Sequence, residues 1–128
     1  MEPNSSSTGR TTPGAQGEAA EGLACAYLQA RGLTLVERNF RCRCGELDLV
    51  MRDGAQWVFV EVRLRRSVRF GHPAETVTRA KQRRLIGAAS LYLQRHRLDV
   101  PSRFDVVAIS RHNGRLTLDW IRDAFQAD

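Results

Sequence analysis

A chain of 128 residues has room for one domain, and an apolar content of 42% suits a packed core rather than a disordered chain. No run is long or apolar enough to cross a bilayer, and the Ser-, Thr-, Gly- and Pro-rich residues 1–16 lack the apolar stretch of a signal peptide. The sequence therefore reads as a cytoplasmic protein with a disordered tail over 1–16 and one domain over 17–128, whose net charge of +6 favours polyanionic partners.

In chain order, Ala20, Leu23, Ala24, Tyr27 and Leu28 recur at helical spacing and predict an amphipathic helix over 17–31, stopped by Gly32. Residues 33–40 read as a strand and 41–45 as a short polar loop. Residues 46–52 and 57–65 are β-rich, and Asp53-Gly54 between them is a hairpin signal. Their apolar density predicts strands covered on both faces, in the middle of a sheet. Residues 67–73 form a loop. A long helix is predicted over 74–97, with Val77, Ala80, Leu85, Ala88, Ala89 and Tyr92 facing inward and Pro73 at its entry. Beyond Pro101, residues 103–110 and 115–120 read as strands joined through His112-Asn113-Gly114. The order α-β-β-β-α-β-β predicts an α/β fold with a mixed central sheet flanked by helices.

The three cysteines are expected to be thiols in a reducing compartment. Cys42 and Cys44 form a C-x-C, but there is no second cysteine pair, and His72, His96 and His112 are scattered, so zinc is not expected. Cys25 suits a small core residue.

Carboxylates stand where an apolar hairpin should continue. Strand side chains alternate faces, so Glu46, Asp48 and Val50 share one side of the first arm, and Trp57, Phe59, Glu61 and Arg63 one side of the second. A two-residue loop at Asp53-Gly54 sets Glu46 opposite Glu61, whereas a four-residue loop sets Asp48 opposite Glu61. Either loop gathers Asp48, Glu61 and Arg63 on one face. Acids in the centre of a sheet are costly unless paired or bound to a cation, and like charges across a ladder repel. Two resolutions are open: Mg²⁺, which takes carboxylate and carbonyl oxygens, or a salt-bridge cluster built on Arg63. Glu21, along the stripe of the first helix, is either a carboxylate reaching the same pocket or an acid favoured by the helix dipole. Two basic groups adjoin the acids: Arg63, Arg65, Arg66 and Arg69 after the second hairpin strand, and Arg79, Lys81, Arg83 and Arg84 early in the long helix. Such charges suit phosphate contacts or a solvated face.

Gly17-x3-Glu21-x2-Ala24-x2-Tyr27-Leu28, Asn39, Gly45-Glu46-Leu47-Asp48-Leu49-Val50, Val58-Phe59-Val60-Glu61-Val62-Arg63, Lys81-Gln82 and Arg103-Phe104-Asp105-Val106-Val107 resemble the YraN-type family of uncharacterised bacterial proteins. That family is similar to the PD-(D/E)XK nucleases, above all to Holliday-junction resolvases. The resemblance implies a restriction-endonuclease-like core and a Mg²⁺- or Mn²⁺-dependent endonuclease acting on DNA, branched DNA included. Glu21, Asp48 and Glu61, with the Val62 carbonyl, would hold the metal. Arg63 stands where the family motif has Lys, and Lys81 is the residue that could replace the missing amine from the long helix. Leu47 occupies the place of the motif proline. Resolution of branched DNA would call for a homodimer, because two strands are cut symmetrically. The alternative is a module that keeps the fold and binds DNA or RNA without cutting it.

Overall fold

The computed structural model describes residues 13–65 and 77–127. Its elements follow the expected order: α1 (Pro13–Ala30), β1 (Thr34–Arg41), β2 (Glu46–Asp53), β3 (Gln56–Arg65), α2 (Arg79–Arg95), β4 (Ser102–His112) and β5 (Arg115–Phe125). The five strands form one sheet in the order β1-β2-β3-β4-β5. β1, β2 and β3 are successively antiparallel, β3 and β4 are parallel across the α2 connection, and β4 and β5 are antiparallel. This is the mixed α/β arrangement expected from the sequence, with β3 at its centre.

Two apolar layers cover the sheet. Ala20, Ala24, Cys25 and Leu28 of α1 pack against Leu49, Met51, Val58, Val60, Val107 and Ile109. Leu85, Ala88, Ala89 and Tyr92 of α2 pack against Phe40, Val50, Phe59, Phe104 and Val106. The opposite allegiance of Val58 and Val60 against Phe59 follows from strand alternation, and both faces of β3 are buried as its composition predicted.

Several boundaries and faces differ from the sequence reading. α1 starts at Pro13, so residues 13–16 are helical rather than part of a tail; residues 1–12 lie outside the described residues. Leu23, expected on the inner stripe, is 44% exposed, whereas Glu21 is only 9% exposed. At about 100° per residue, Ala20, Glu21, Ala24, Cys25 and Leu28 make a contiguous face that leaves Leu23 outside it. α2 begins at Arg79, not at residue 74, because Thr78 is its N-cap: the backbone there is extended, and its hydroxyl accepts from the Lys81 amide at 3.1 Å. Val77 is buried ahead of the helix, and Ala80 is exposed rather than inward. The predicted loop over 67–73 and the helix start at 74–76 lie outside the described residues.

Asp53 pairs with Gln56 and Arg52 with Trp57, so the turn itself is Gly54-Ala55, with Gly54 at φ 64°. The register is that of the four-residue alternative, which directs Asp48 towards Glu61. β5 runs to Phe125, five residues beyond the predicted end at 120, and its last part pairs through Phe104↔Phe125 after an irregularity in the ladder.

Candidate functional site

The β2–β3 ladder ends at Leu49↔Val60. Just beyond it, the Val62 amide donates to Asp48 Oδ2 at 2.8 Å. A side-chain carboxylate thus takes a backbone donor at the point where the two strands stop pairing. This bond fixes the Asp48 carboxyl at the mouth of the fork, close enough to Glu61 for the two carboxyls to act on each other electrostatically. Glu61, 5% exposed, comes from the buried centre of β3.

Two cations reach Glu61. Arg63 Nη1 lies 3.5 Å and Lys81 Nζ 3.7 Å from its Oε2. Lys81 does so because the Thr78 cap sets the helix register, turning Lys81 towards the sheet and leaving Arg79, Arg83 and Arg84 exposed. α1 contributes Glu21, whose Oε1 lies 3.7 Å from Arg38 Nη2. That oxygen is buried without a hydrogen-bond partner, and the Asn39 side chain lies near enough to favour the charged carboxylate. Glu46 pairs with Arg41 at 3.1 Å on the exposed rim. Asp48 alone of these acids has no cation within ion-pair distance among the described residues.

The electrostatics follow from this uneven pairing. Burial, reinforced by the Glu61 charge, pushes the Asp48 carboxyl up to about 7 from an ordinary value of 3.8, against the opposing pull of the Val62 amide. Burial and then the Asp48 charge also raise Glu21, with the Asn39 bond and Arg38 working the other way. Both acids thus resist ionisation unless positive charge arrives.

The structure brings Asp48, Glu61, Arg63 and Lys81 together, with the Val62 amide at the same point. Glu21 approaches from the α1 side and feels the Asp48 charge. Among the described residues no three His, Cys, Asp or Glu side chains stand close enough to hold a metal ion. The geometry therefore assembles a pair of carboxyls, not the closed set of Glu21, Asp48, Glu61 and Val62. Of the basic residues, Arg79, Arg83 and Arg84 line the exposed side of the first turns of α2, and Arg65 is half-buried at the end of β3. Arg66 and Arg69 lie outside the described residues. Sequence reasoning gave no role to Asn39 or Arg38. Asn39 stands at φ 57° inside β1, a left-handed position that asparagine tolerates, and an asparagine flanked by strand-forming residues was the available signal.

Comparison with known proteins matches residues 20–109 to the family described as "Uncharacterised protein family UPF0102". A UPF0102 protein of Nitrosococcus oceani is 53% identical over 115 residues, covering 88% of this chain and 93% of the relative. One from Ralstonia pickettii is 57% identical, covering 89% and 92%, and one from Nitrosomonas europaea is 51% identical, covering 90% and 97%. No helix among the described residues is long and apolar enough to cross a membrane.

Proposed function

The chain belongs to the uncharacterised protein family UPF0102, the YraN-type family, and we propose that it is a nucleic-acid-binding protein of the endonuclease type, dependent on Mg²⁺ or Mn²⁺ and acting on DNA. One observation carries the reading: Asp48 meets Glu61 at the strand fork with no cation of its own among the described residues. The donor set fits Mg²⁺, which keeps several waters and binds through one or two carboxylates. Asp48 and Glu61 would hold the ion, with the Val62 carbonyl and Glu21 within the same region. When bound, the ion supplies charge neutralisation at a phosphate and lowers the pKa of a bound water.

The chain's own groups have separable tasks. Arg63 stays protonated and acts as a fixed positive charge beside the phosphoryl oxygens. Lys81 carries an amine that can exchange a proton, and it stands 3.7 Å from Glu61, where the strand itself offers only an arginine. Arg79, Arg83 and Arg84 lie at the positive end of the α2 dipole, with no acid in that first turn. Cations there oppose the macrodipole, and a phosphate backbone relieves both. A branched substrate and a two-fold dimer would follow from symmetric cutting of two strands.

The test is nicking of plasmid and branched DNA in Mg²⁺ or Mn²⁺ by the full chain and by Asp48→Ala and Glu61→Ala. Loss of nicking in both, with DNA binding retained, supports the assignment. Cleavage that both variants retain refutes it. A second reading has its own support: Glu61 is already neutralised by Arg63 and Lys81, as in a structural ion cluster. It predicts salt-sensitive DNA or RNA binding and no cation-dependent cleavage by the unmutated chain.

A further inference from the structure

The C-x-C of the β1–β2 loop takes no part in the site above, yet it is built as a unit. Cys42 and Gly45 exchange both backbone hydrogen bonds, at 2.9 and 3.3 Å, which closes a tight loop over Arg43 and Cys44. The two thiols are neighbours, and Cys42 is the first cause that raises the Cys44 thiol above its ordinary value. Cys44 is exposed, Cys42 is half-buried, and neither is disulfide-bonded. Cys25 lies in the other layer, against α1, and is not a neighbour of this pair.

The loop is seated rather than dangling. A Cβ on Gly87 of α2 would fall 3.1 Å from Cys44 Cβ and 3.3 Å from its Sγ, and a Cβ on Gly45 would fall 3.2 Å from Arg84 Cβ. Both glycines let the loop lie directly on α2, which holds Cys44 against movement away from Cys42. A turn of this size keeps its end Cα atoms within about 7 Å. Two residues at i and i+2 of such a closed turn can reach the roughly 4.4–6.8 Å Cα separation that a disulfide requires. Arg41 and Arg43, both exposed, flank the pair, while the neighbouring Cys42 pushes the Cys44 thiol above its ordinary value, so the pair rests as a dithiol.

We propose that Cys42 and Cys44 form a dithiol modification site that closes to an intraloop disulfide by exchange with a low-molecular-weight disulfide. One thiolate attacks a sulfur of the reagent and releases the first small thiol. The second cysteine then attacks the resulting mixed disulfide at the protein sulfur and releases the other. The dithiol is oxidised, the reagent is reduced to two thiols, and the two protons leave with them.

The sequence supplies a direct readout. Trypsin cuts after Arg41, Arg43 and Arg52, so residues 42–43 and 44–52 separate unless the two sulfurs are joined. The full chain is equilibrated with oxidised glutathione, free thiols are alkylated under denaturing conditions, and a non-reduced digest is read by mass spectrometry. Residues 42–43 are expected to stay attached to 44–52 in a monomeric protein, to be released by reduction, and to remain attached in Cys25→Ser. Cys42→Ser and Cys44→Ser are each expected to carry glutathione on the remaining sulfur. The proposal is overturned if both cysteines are recovered alkylated, if the unmutated chain stops at a mixed disulfide, or if the link runs between chains or to Cys25.

Discussion

Replacing Asp48 by Asn tests the electrostatics of the fork without disturbing its shape, because the amide oxygen can still accept from Val62 N–H. Burial and the Glu61 charge hold Asp48 at about 7 in the folded chain, against 3.8 ordinarily. The folded value lies above the unfolded one, so the native state holds this proton more tightly. The associated stability is complete below about pH 4 and is lost as pH rises through about 7. A unit of pKa corresponds to about 1.4 kcal/mol, so the full rise would be worth roughly 4 kcal/mol. Part of the rise belongs to Glu61, and water reaches this half-buried carboxyl, so about 2 kcal/mol is the magnitude to look for. Urea unfolding of the unmutated chain without divalent cations should show stability falling by about that amount between pH 4 and pH 8. Asp48→Asn should flatten most of the fall and leave a smaller slope from Glu21, which is raised for a related reason. An unmutated chain equally stable at both pH values, or a variant with an unchanged slope, would refute the account.

The remaining predictions address the frame and the basic face. Asp105, fully buried, accepts from Arg103 Nε at 3.0 Å, Trp120 Nε1 at 2.9 Å and the Asp123 amide at 2.9 Å. Asp105→Ala should cost about 3–5 kcal/mol in urea unfolding, since it leaves Arg103 Nε, Trp120 Nε1 and the Asp123 amide without their acceptor while Arg103 Nη1 keeps Asp53 and Gln56; a loss under about 1 kcal/mol would contradict the network's role. Gly45→Ala pushes a methyl to 3.3 Å from the Arg84 carbonyl oxygen, part of a helix backbone that cannot yield cheaply. A loss of about 1–3 kcal/mol in thermal or urea unfolding is expected. Replacing Arg79, Arg83 and Arg84 together by Gln should weaken DNA binding and reduce the slope of log K against log salt by up to roughly 2–3. An unchanged slope would place the phosphate contacts elsewhere.

How much was legible depended on whether local chemistry or three-dimensional meeting decided the matter. β2 and β3 announced themselves through alternation and β-branched density, and their carboxylates were conspicuous because an apolar hairpin tolerates none. The inner face of α1 was misread because that helix is rich in alanine and glycine, so hydrophobicity hardly separates its sides. Leu23 drew the stripe towards itself, although Ala20, Ala24 and Leu28 are the residues buried to 4% or less. The start of α2 was misplaced because Pro73 was taken as the entry, while Thr78 with its bond to the Lys81 amide is the cap. That displacement decides which basic side chains face inward. Lys81 could be suspected from the sequence, but its approach to Glu61 follows from the cap and the packing of Leu85 and Tyr92 behind it.

The distribution of charge around the fork is more informative than its sum. Glu21, Glu46 and Glu61 each have a cation within 4.0 Å, and Glu61 has two. Asp48, in contact with Glu61 and bonded to the Val62 amide, has none among the described residues. A cluster serving stability alone would gain by moving one of the Glu61 partners to Asp48, since the second cation on one carboxylate adds less than the first on another. Instead, the acid at the mouth of the fork is left to be neutralised by a proton or an arriving cation. Lys81 and Arg63 are placed at Glu61, 3.7 and 3.5 Å from its Oε2. Among the described residues this leaves Asp48 with a raised carboxyl and no cation beside it, a departure from local stability that supports the proposed site.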